Sequence, residues 1–174
     1  GVVGVSFTST RSFDYCFGDS DDDPLGPANY ADGDWRRSLP GRTNYNLRGH
    51  RAEITLVRWN EPFQKLATCD ESGVIFIWIK YEGRWSVELI NDRSARVTDM
   101  AWSSDGRLAV ICYVDGFVLV GSVTGQRYWS SMLNLNEGHV TCCVWSGDDQ
   151  NILFSTSSGH VLVISAHGQY ITQV

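Results

Sequence analysis

The sequence is short of the residues from which catalytic and metal centres are built. Among 174 residues there are four histidines and five cysteines. No Gly-rich phosphate loop, His-Glu-x-x-His, Gly-x-Ser-x-Gly or Cys-x-x-Cys occurs. His139, His160 and His167 have no metal-ligand spacing. No catalytic residue, metal or cofactor is therefore expected, and the chain is not expected to be an enzyme. Basic charge is also short, with 14 Lys and Arg against 20 Asp and Glu and a formal net charge of -6. That balance disfavours a nucleic-acid partner, which calls for a basic stripe. No apolar run has membrane length, and neither a signal-peptide pattern nor an Asn-x-Ser/Thr sequon is present. Membrane contact is not expected, and a reducing, cytoplasmic setting fits.

What the chain does have is a repeat. Trp59, Trp102 and Trp145 stand 43 residues apart, as do Gly73, Gly116 and Gly159. The same step links Ile54, Val97 and Val140, then Leu66, Ala109 and Ile152, then Trp78, Gly121 and Ile164. Periods of about 40–45 residues carrying four short strands each mark a β-propeller. Cys69 and Cys112 obey the step too, so they are expected as small core residues. Cys142 and Cys143 cannot chelate jointly on a strand, because neighbours point to opposite faces.

The expected fold is all-β: a partial WD-repeat propeller of three four-stranded blades plus a strand of a preceding blade. Residues 1–8 read as that strand. Residues 9–43 break the pattern with seven aspartates and three of the four prolines, so an acidic, disordered insert is expected. An EF-hand frame from Asp19 fails, because Pro24 and Tyr30 fall where the turn Gly and bidentate Glu belong. Residues 44–174 hold three repeats, about 47–91, 93–134 and 138–174. Each repeat gives a strand ending in Trp, a turn, a second strand, a Gly turn, a third apolar strand and an outer strand. The apolar third strand over 74–79 needs cover on both faces, which stacked blades provide. Seven blades at this period take about 300 residues, so three repeats leave blade faces open, and self-association or marginal stability is expected.

In WD repeats a His, an Asp in the second turn, a Ser/Thr and a Trp form a hydrogen-bonded lock, since buried polar atoms must find partners. Here His50, Thr68 and Trp78 are assigned to it, with Ser72 at the Asp position. The second repeat has Asp115, but Arg93 in place of His and Gly121 in place of Trp. Propellers bind through the loops at the ends of their blades. Arg51, Glu71, Arg93, Arg96 and His139 lie in the loops of one end and are the candidate protein-binding residues, as charges that can pair with a partner's.

The stretch 48–70, opening Arg48-Gly49-His50-Arg51 and closing Ala67-Thr68-Cys69-Asp70, resembles the N-terminal WD-repeat region of the tubby-like proteins. Tyr81-Glu82-Gly83-Arg84-Trp85 and the run from Asp115 to Arg127 extend the resemblance, which covers residues 1–7 and about 44–174. It implies a non-enzymatic adaptor that presents substrates to a cullin-type ubiquitin ligase. The docking elements for the ligase, a SOCS box, and the tubby domain are expected outside these residues. A more distant similarity to propellers of intraflagellar-transport coat subunits implies the alternative, a role in ciliary trafficking.

Overall fold

In the computed structural model, residues 2–7, 43–135 and 138–174 are described. The insert expected over 9–43 lies outside the described residues except for Thr43. All regular elements among the described residues are strands, and they fall in two compact units, Val2–Arg48 and Gly49–Val174. The first unit is a hairpin of β1 (Val2–Phe7) and β2 (Thr43–Arg48), antiparallel from Val2↔Arg48 to Phe7↔Thr43. The facing pair Val3 and Leu47 is buried.

The second unit contains three four-stranded antiparallel meanders. The first sheet is β3 (Ile54–Asn60), β4 (Lys65–Asp70), β5 (Val74–Tyr81) and β6 (Arg84–Asp92). The second is β7 (Val97–Trp102), β8 (Leu108–Tyr113), β9 (Phe117–Ser122) and β10 (Arg127–Met132). The third is β11 (Val140–Trp145), β12 (Asn151–Thr156), β13 (Val161–Ser165) and β14 (Tyr170–Gln173). Neighbouring sheets meet along their first strands, β3 against β7 and β7 against β11. This is the side-by-side packing of propeller blades.

The period is visible in the backbone. Trp59 pairs with Leu66, Trp102 with Ala109 and Trp145 with Ile152, so the three tryptophans hold matching places on neighbouring sheets. Each first strand is bulged at the same point, between Ile54 and Leu56, Val97 and Asp99, and Val140 and Cys142. A bulge bends its strand and raises its twist. At each bulge a threonine hydroxyl donates to a carbonyl of the second strand: Thr55 to Cys69 (3.4 Å), Thr98 to Cys112 (3.2 Å) and Thr141 to Ser155 (3.2 Å). The turns after the second strands close on glycines at φ +91°, +85° and +88° (Gly73, Gly116, Gly159). A Cβ on Gly73 would lie 2.3 Å from the Ala95 carbonyl oxygen, so only glycine fits there. The β5–β6 hairpin departs from its counterparts. Glu82 and Gly83 both have positive φ (47° and 77°) in a two-residue turn, which puts Gly83 one place off the repeat of Gly125 and Gly168.

Strand alternation divides the core into two layers. Ala109, Ile111, Tyr113 and Leu119 of the second sheet pack with Ala67, Cys69, Ile75 and Ile77 of the first. Val110, Cys112, Val118 and Val120 turn the other way and pack with Cys143, Ile152, Phe154 and Leu162 of the third. Cys69 and Cys112 are thus equivalent, fully buried thiols. Burial pushes the Cys69 thiol up to about 12. Cys143 is buried and Cys142 exposed, as opposite faces require. A hydrogen bond with Cys112, then burial, raises the Cys143 thiol. The third sheet is covered on one face only. Leu153, Val161 and Val163 are half-buried where the second sheet has buried Val110, Val118 and Val120, and Val144 is 54% exposed. Trp78 and Trp145 are buried, whereas Trp59 is 39% exposed. Trp35 lies outside the described residues.

Candidate functional site

The loops entering the first strands and the turns after the second strands gather at one end of the sheets. In each sheet the same backbone bond ties them together: Glu71 N to Glu53 O (2.8 Å), Val114 N to Arg96 O (2.9 Å) and Ser157 N to His139 O (2.9 Å). These bonds also step by 43 residues, so the loop end is a fixed surface rather than a set of independent loops.

Beneath that end in the first sheet is a buried polar chain. His50 Nδ1 lies 2.7 Å from Asp70 Oδ2, and His50 Nε2 lies 2.6 Å from Thr68 Oγ1. Trp78 Nε1–H donates to Thr68 Oγ1 at 2.9 Å. A neutral imidazole satisfies every atom: Trp78 donates to Thr68, Thr68 donates to His50 Nε2, and His50 Nδ1–H donates to Asp70. The rings add to it, with Phe76 stacked on His50 at 4.3 Å and edge-on to Trp78 at 5.4 Å. His50, Thr68 and Trp78 are thereby brought together, but the fourth member is Asp70 and not the residue at position 72. Ser72 stands at the position where Asp is usual, and Asp70 supplies the carboxylate in its place. Ser72 instead donates its hydroxyl to Asp70 Oδ1 at 2.6 Å, beside the backbone N–H of Ser72 and Val74, both at 3.1 Å. Asp70 is the last residue of β4, two after Thr68, so both side chains lie on one face. That two-residue spacing was the available signal. Burial works to raise the Asp70 pKa, but the bonds from Ser72, His50 and Val74 outweigh it and hold the carboxyl below its usual range.

In the second sheet the equivalents of His50, Thr68 and Asp70 are Arg93, Ile111 and Tyr113, and Asp115 matches Ser72. Arg93 Nη1 meets Asp115 Oδ2 at 2.6 Å. Its guanidinium lies over the rings of Phe117 (4.1 Å) and Tyr113 (4.9 Å). Burial pushes the Tyr113 phenol up to about 12.

The other candidate residues are placed as follows. Arg96 Nη1 pairs with Glu71 Oε2 at 3.5 Å, with both side chains about half exposed. Arg51 is exposed and makes no ion pair among the described residues. His139 is exposed, its backbone N–H donating to Ser157 Oγ at 3.0 Å. Among the described residues no group of three His, Cys, Asp or Glu is arranged to hold a metal ion.

One residue that sequence reasoning missed joins all three sheets. Asp99 Oδ1 accepts from Arg58 Nη2 of β3 (2.7 Å) and from the Met100 N–H (2.8 Å), and Oδ2 accepts from the Cys143 N–H of β11 (2.8 Å). Burial works to raise its pKa, but bonds from Cys143, Cys142, Met100 and Arg58 outweigh it and keep it low. A second lacing runs at the opposite end: Asn60 Nδ2 donates to Gly106 O (2.8 Å), and Asp149 accepts from Ser104 N–H. The partners that lie on different sheets are 41–46 residues apart, one repeat away.

Comparison with known proteins agrees with this architecture. A β-propeller family model described as WDR35/TULP4 N-terminal matches residues 36–174. The chain is 55% identical to human Tubby-related protein 4 over 98 residues, 56% of this chain and 5% of that protein, and the mouse protein matches equally. It is 46% identical to rat WD repeat-containing protein 35 over 54 residues, 31% of this chain and 5% of that protein. The matched part is thus about one-twentieth of the length of these relatives. With more than half of its residues matched and its strands at the required period, the chain belongs to the WDR35/TULP4 N-terminal β-propeller family.

Proposed function

We propose that this propeller region acts without enzymatic activity as a protein-interaction scaffold in the cytoplasm. In this reading it is the substrate-recognition part of an adaptor for a cullin–SOCS-box ubiquitin ligase, and ligase contact is made by regions outside this chain. The observation that carries the scaffold reading is the fixed loop end. Three equivalent backbone bonds hold it, and it displays Arg51, His139 and the half-exposed Arg96–Glu71 pair. A pre-organised charged surface loses little conformational freedom on binding and pairs selectively with complementary charge. The likeness to Tubby-related protein 4 supports the adaptor role.

The test is charge reversal at Arg51 and Arg96 with affinity capture from cells. Loss of a ubiquitination substrate, with cullin components retained by the full-length protein and an unchanged melting temperature, is the expected result. Undiminished substrate capture contradicts the assignment of this end. The likeness to WD repeat-containing protein 35 supports a second reading, a coat-type propeller in ciliary trafficking. Recovery of coat subunits in place of cullin components favours that one.

A further inference from the structure

The two seams between neighbouring sheets differ in their sulfur. Between the first and second sheets, Cys69 and Met100 share one core layer, and both are buried. One repeat further on, the same two places hold Cys112 and Cys143, in the layer between the second and third sheets. A thiol beside a thioether has one oxidisable S–H. Two thiols have the parts of a disulfide.

Three observations bring the second pair together. Cys112 is the register partner of Asp99 across β7 and β8, and the Asp99 carboxylate accepts the Cys143 N–H at 2.8 Å. Both side chains turn into one core layer, which they share with Val110, Val118 and Phe154. The Cys143 thiol is hydrogen-bonded with that of Cys112. Neighbouring sulfurs whose Cβ atoms enter the same layer meet the first condition for a disulfide. Both are free thiols in this structure. The bond with Cys112, then burial, raises the Cys143 thiol and leaves little thiolate, so the pair is dormant at rest.

We propose that Cys112 and Cys143 form a reversible redox staple across this seam, closed by a hydroperoxide and reopened by a dithiol. Cys143 is 5% exposed and Cys112 0%, so Cys143 meets the oxidant first. With hydrogen peroxide, the Cys143 thiol loses its proton and its sulfur attacks one peroxide oxygen. The O–O bond breaks, leaving a sulfenic acid, and the departing hydroxide takes up the proton as water. The Cys112 sulfur then attacks the sulfenic sulfur. The S–S bond forms, the S–O bond breaks, and hydroxide leaves with the Cys112 proton as a second water. Two thiols lose two electrons, and one peroxide is reduced to two waters. A reducing setting keeps the dithiol as the resting form, and a dithiol reductant restores it by exchange. The closed staple constrains the unfolded chain and so makes the seam harder to unfold. The staple is independent of the loop end and of the adaptor reading.

The experiment treats this chain, as the Cys16→Ser/Cys142→Ser variant, with hydrogen peroxide. Free thiols are alkylated in denaturant, and non-reduced tryptic peptides are analysed by mass spectrometry. Trypsin cuts after Arg107 and Arg127, which puts Cys112 in peptide 108–127 and Cys143 in peptide 128–174. The expected product is these two peptides joined, two hydrogens lighter than their sum, with Cys69 recovered as an alkylated thiol. Dithiothreitol is expected to separate them. The oxidised chain is expected to show a urea midpoint about 1 M above the reduced chain, and Cys112→Ala in the same background to abolish that rise. Recovery of Cys112 and Cys143 as alkylated thiols, under peroxide that fully oxidises the exposed Cys142 of the parent chain, makes them small core residues only and overturns the proposal. A joined pair whose urea midpoint is unchanged or lower overturns it as well.

Discussion

The first and second sheets share every strand, the same bulge and the same threonine-to-carbonyl bond, yet they close their loop ends with different chemistry. In the first, an ionised Asp70 anchors a chain of buried neutral donors running through His50 and Thr68 to Trp78. In the second, Arg93 pairs with a partly exposed Asp115 and stacks on two aromatic rings. The backbone frame is thus set by the period of apolar residues, glycines and threonines, while the side-chain closure of each sheet is exchangeable. The two closures differ in how much they contribute. The first is fully enclosed, where an unpaired polar atom is costly. The second keeps access to water, where ion pairs contribute little.

The largest expected effect comes from Asp70→Ala. It strands the His50 ring and the turn N–H groups in the interior, and a loss of about 3 kcal/mol is expected, read as a drop in the urea midpoint at unchanged slope. Thr68→Val, which interrupts the chain in the middle, is expected to cost about 2 kcal/mol. Acid sharpens the comparison. The carboxyls of Asp70 and Asp99 are both held below their usual range. Their contribution is complete above an unfolded carboxylate value of about 4 and declines as pH falls through the lower folded values. Denaturant midpoints recorded from pH 6 down to pH 2 are expected to fall in that window, and Asp70→Asn flattens part of the fall. Arg93→Ala is expected to cost about 1 kcal/mol, and Arg93→Lys to recover less than half, because lysine keeps the charge without the planar stacking surface. Smallest is Arg96→Ala, at a few tenths of a kcal/mol for an exposed pair, read as a melting temperature within about a degree of the parent.

The sequence made the frame legible because each repeat folds through near neighbours. Hairpins a few residues long bring the strands together, and the 43-residue columns of Trp, Gly, Cys and apolar residues mark their places. The column Thr55, Thr98 and Thr141 was equally regular and would have revealed the bulge bonds. Asp70 was missed because the acidic residue was sought in the turn, whereas the lock uses the end of β4, where its side chain shares a face with Thr68. The role of Asp99 was not legible at all. It depends on which side chains of one sheet meet those of the next, and spacing along the chain does not state that. Nor did composition show that Arg93, Arg96 and Glu71 are already engaged within the chain, since the partners Asp115 and Tyr113 are reached only when the second turn folds back toward the loop.

The most direct measurement is a pair of double-mutant cycles in the same protein, His50 with Asp70 and Arg93 with Asp115, read by equilibrium unfolding. A coupling of about 2 kcal/mol or more for the first pair and below about 1 kcal/mol for the second is the expected result. Equal couplings, or the larger one in the second sheet, contradict the claim that matching backbones carry closures of different strength.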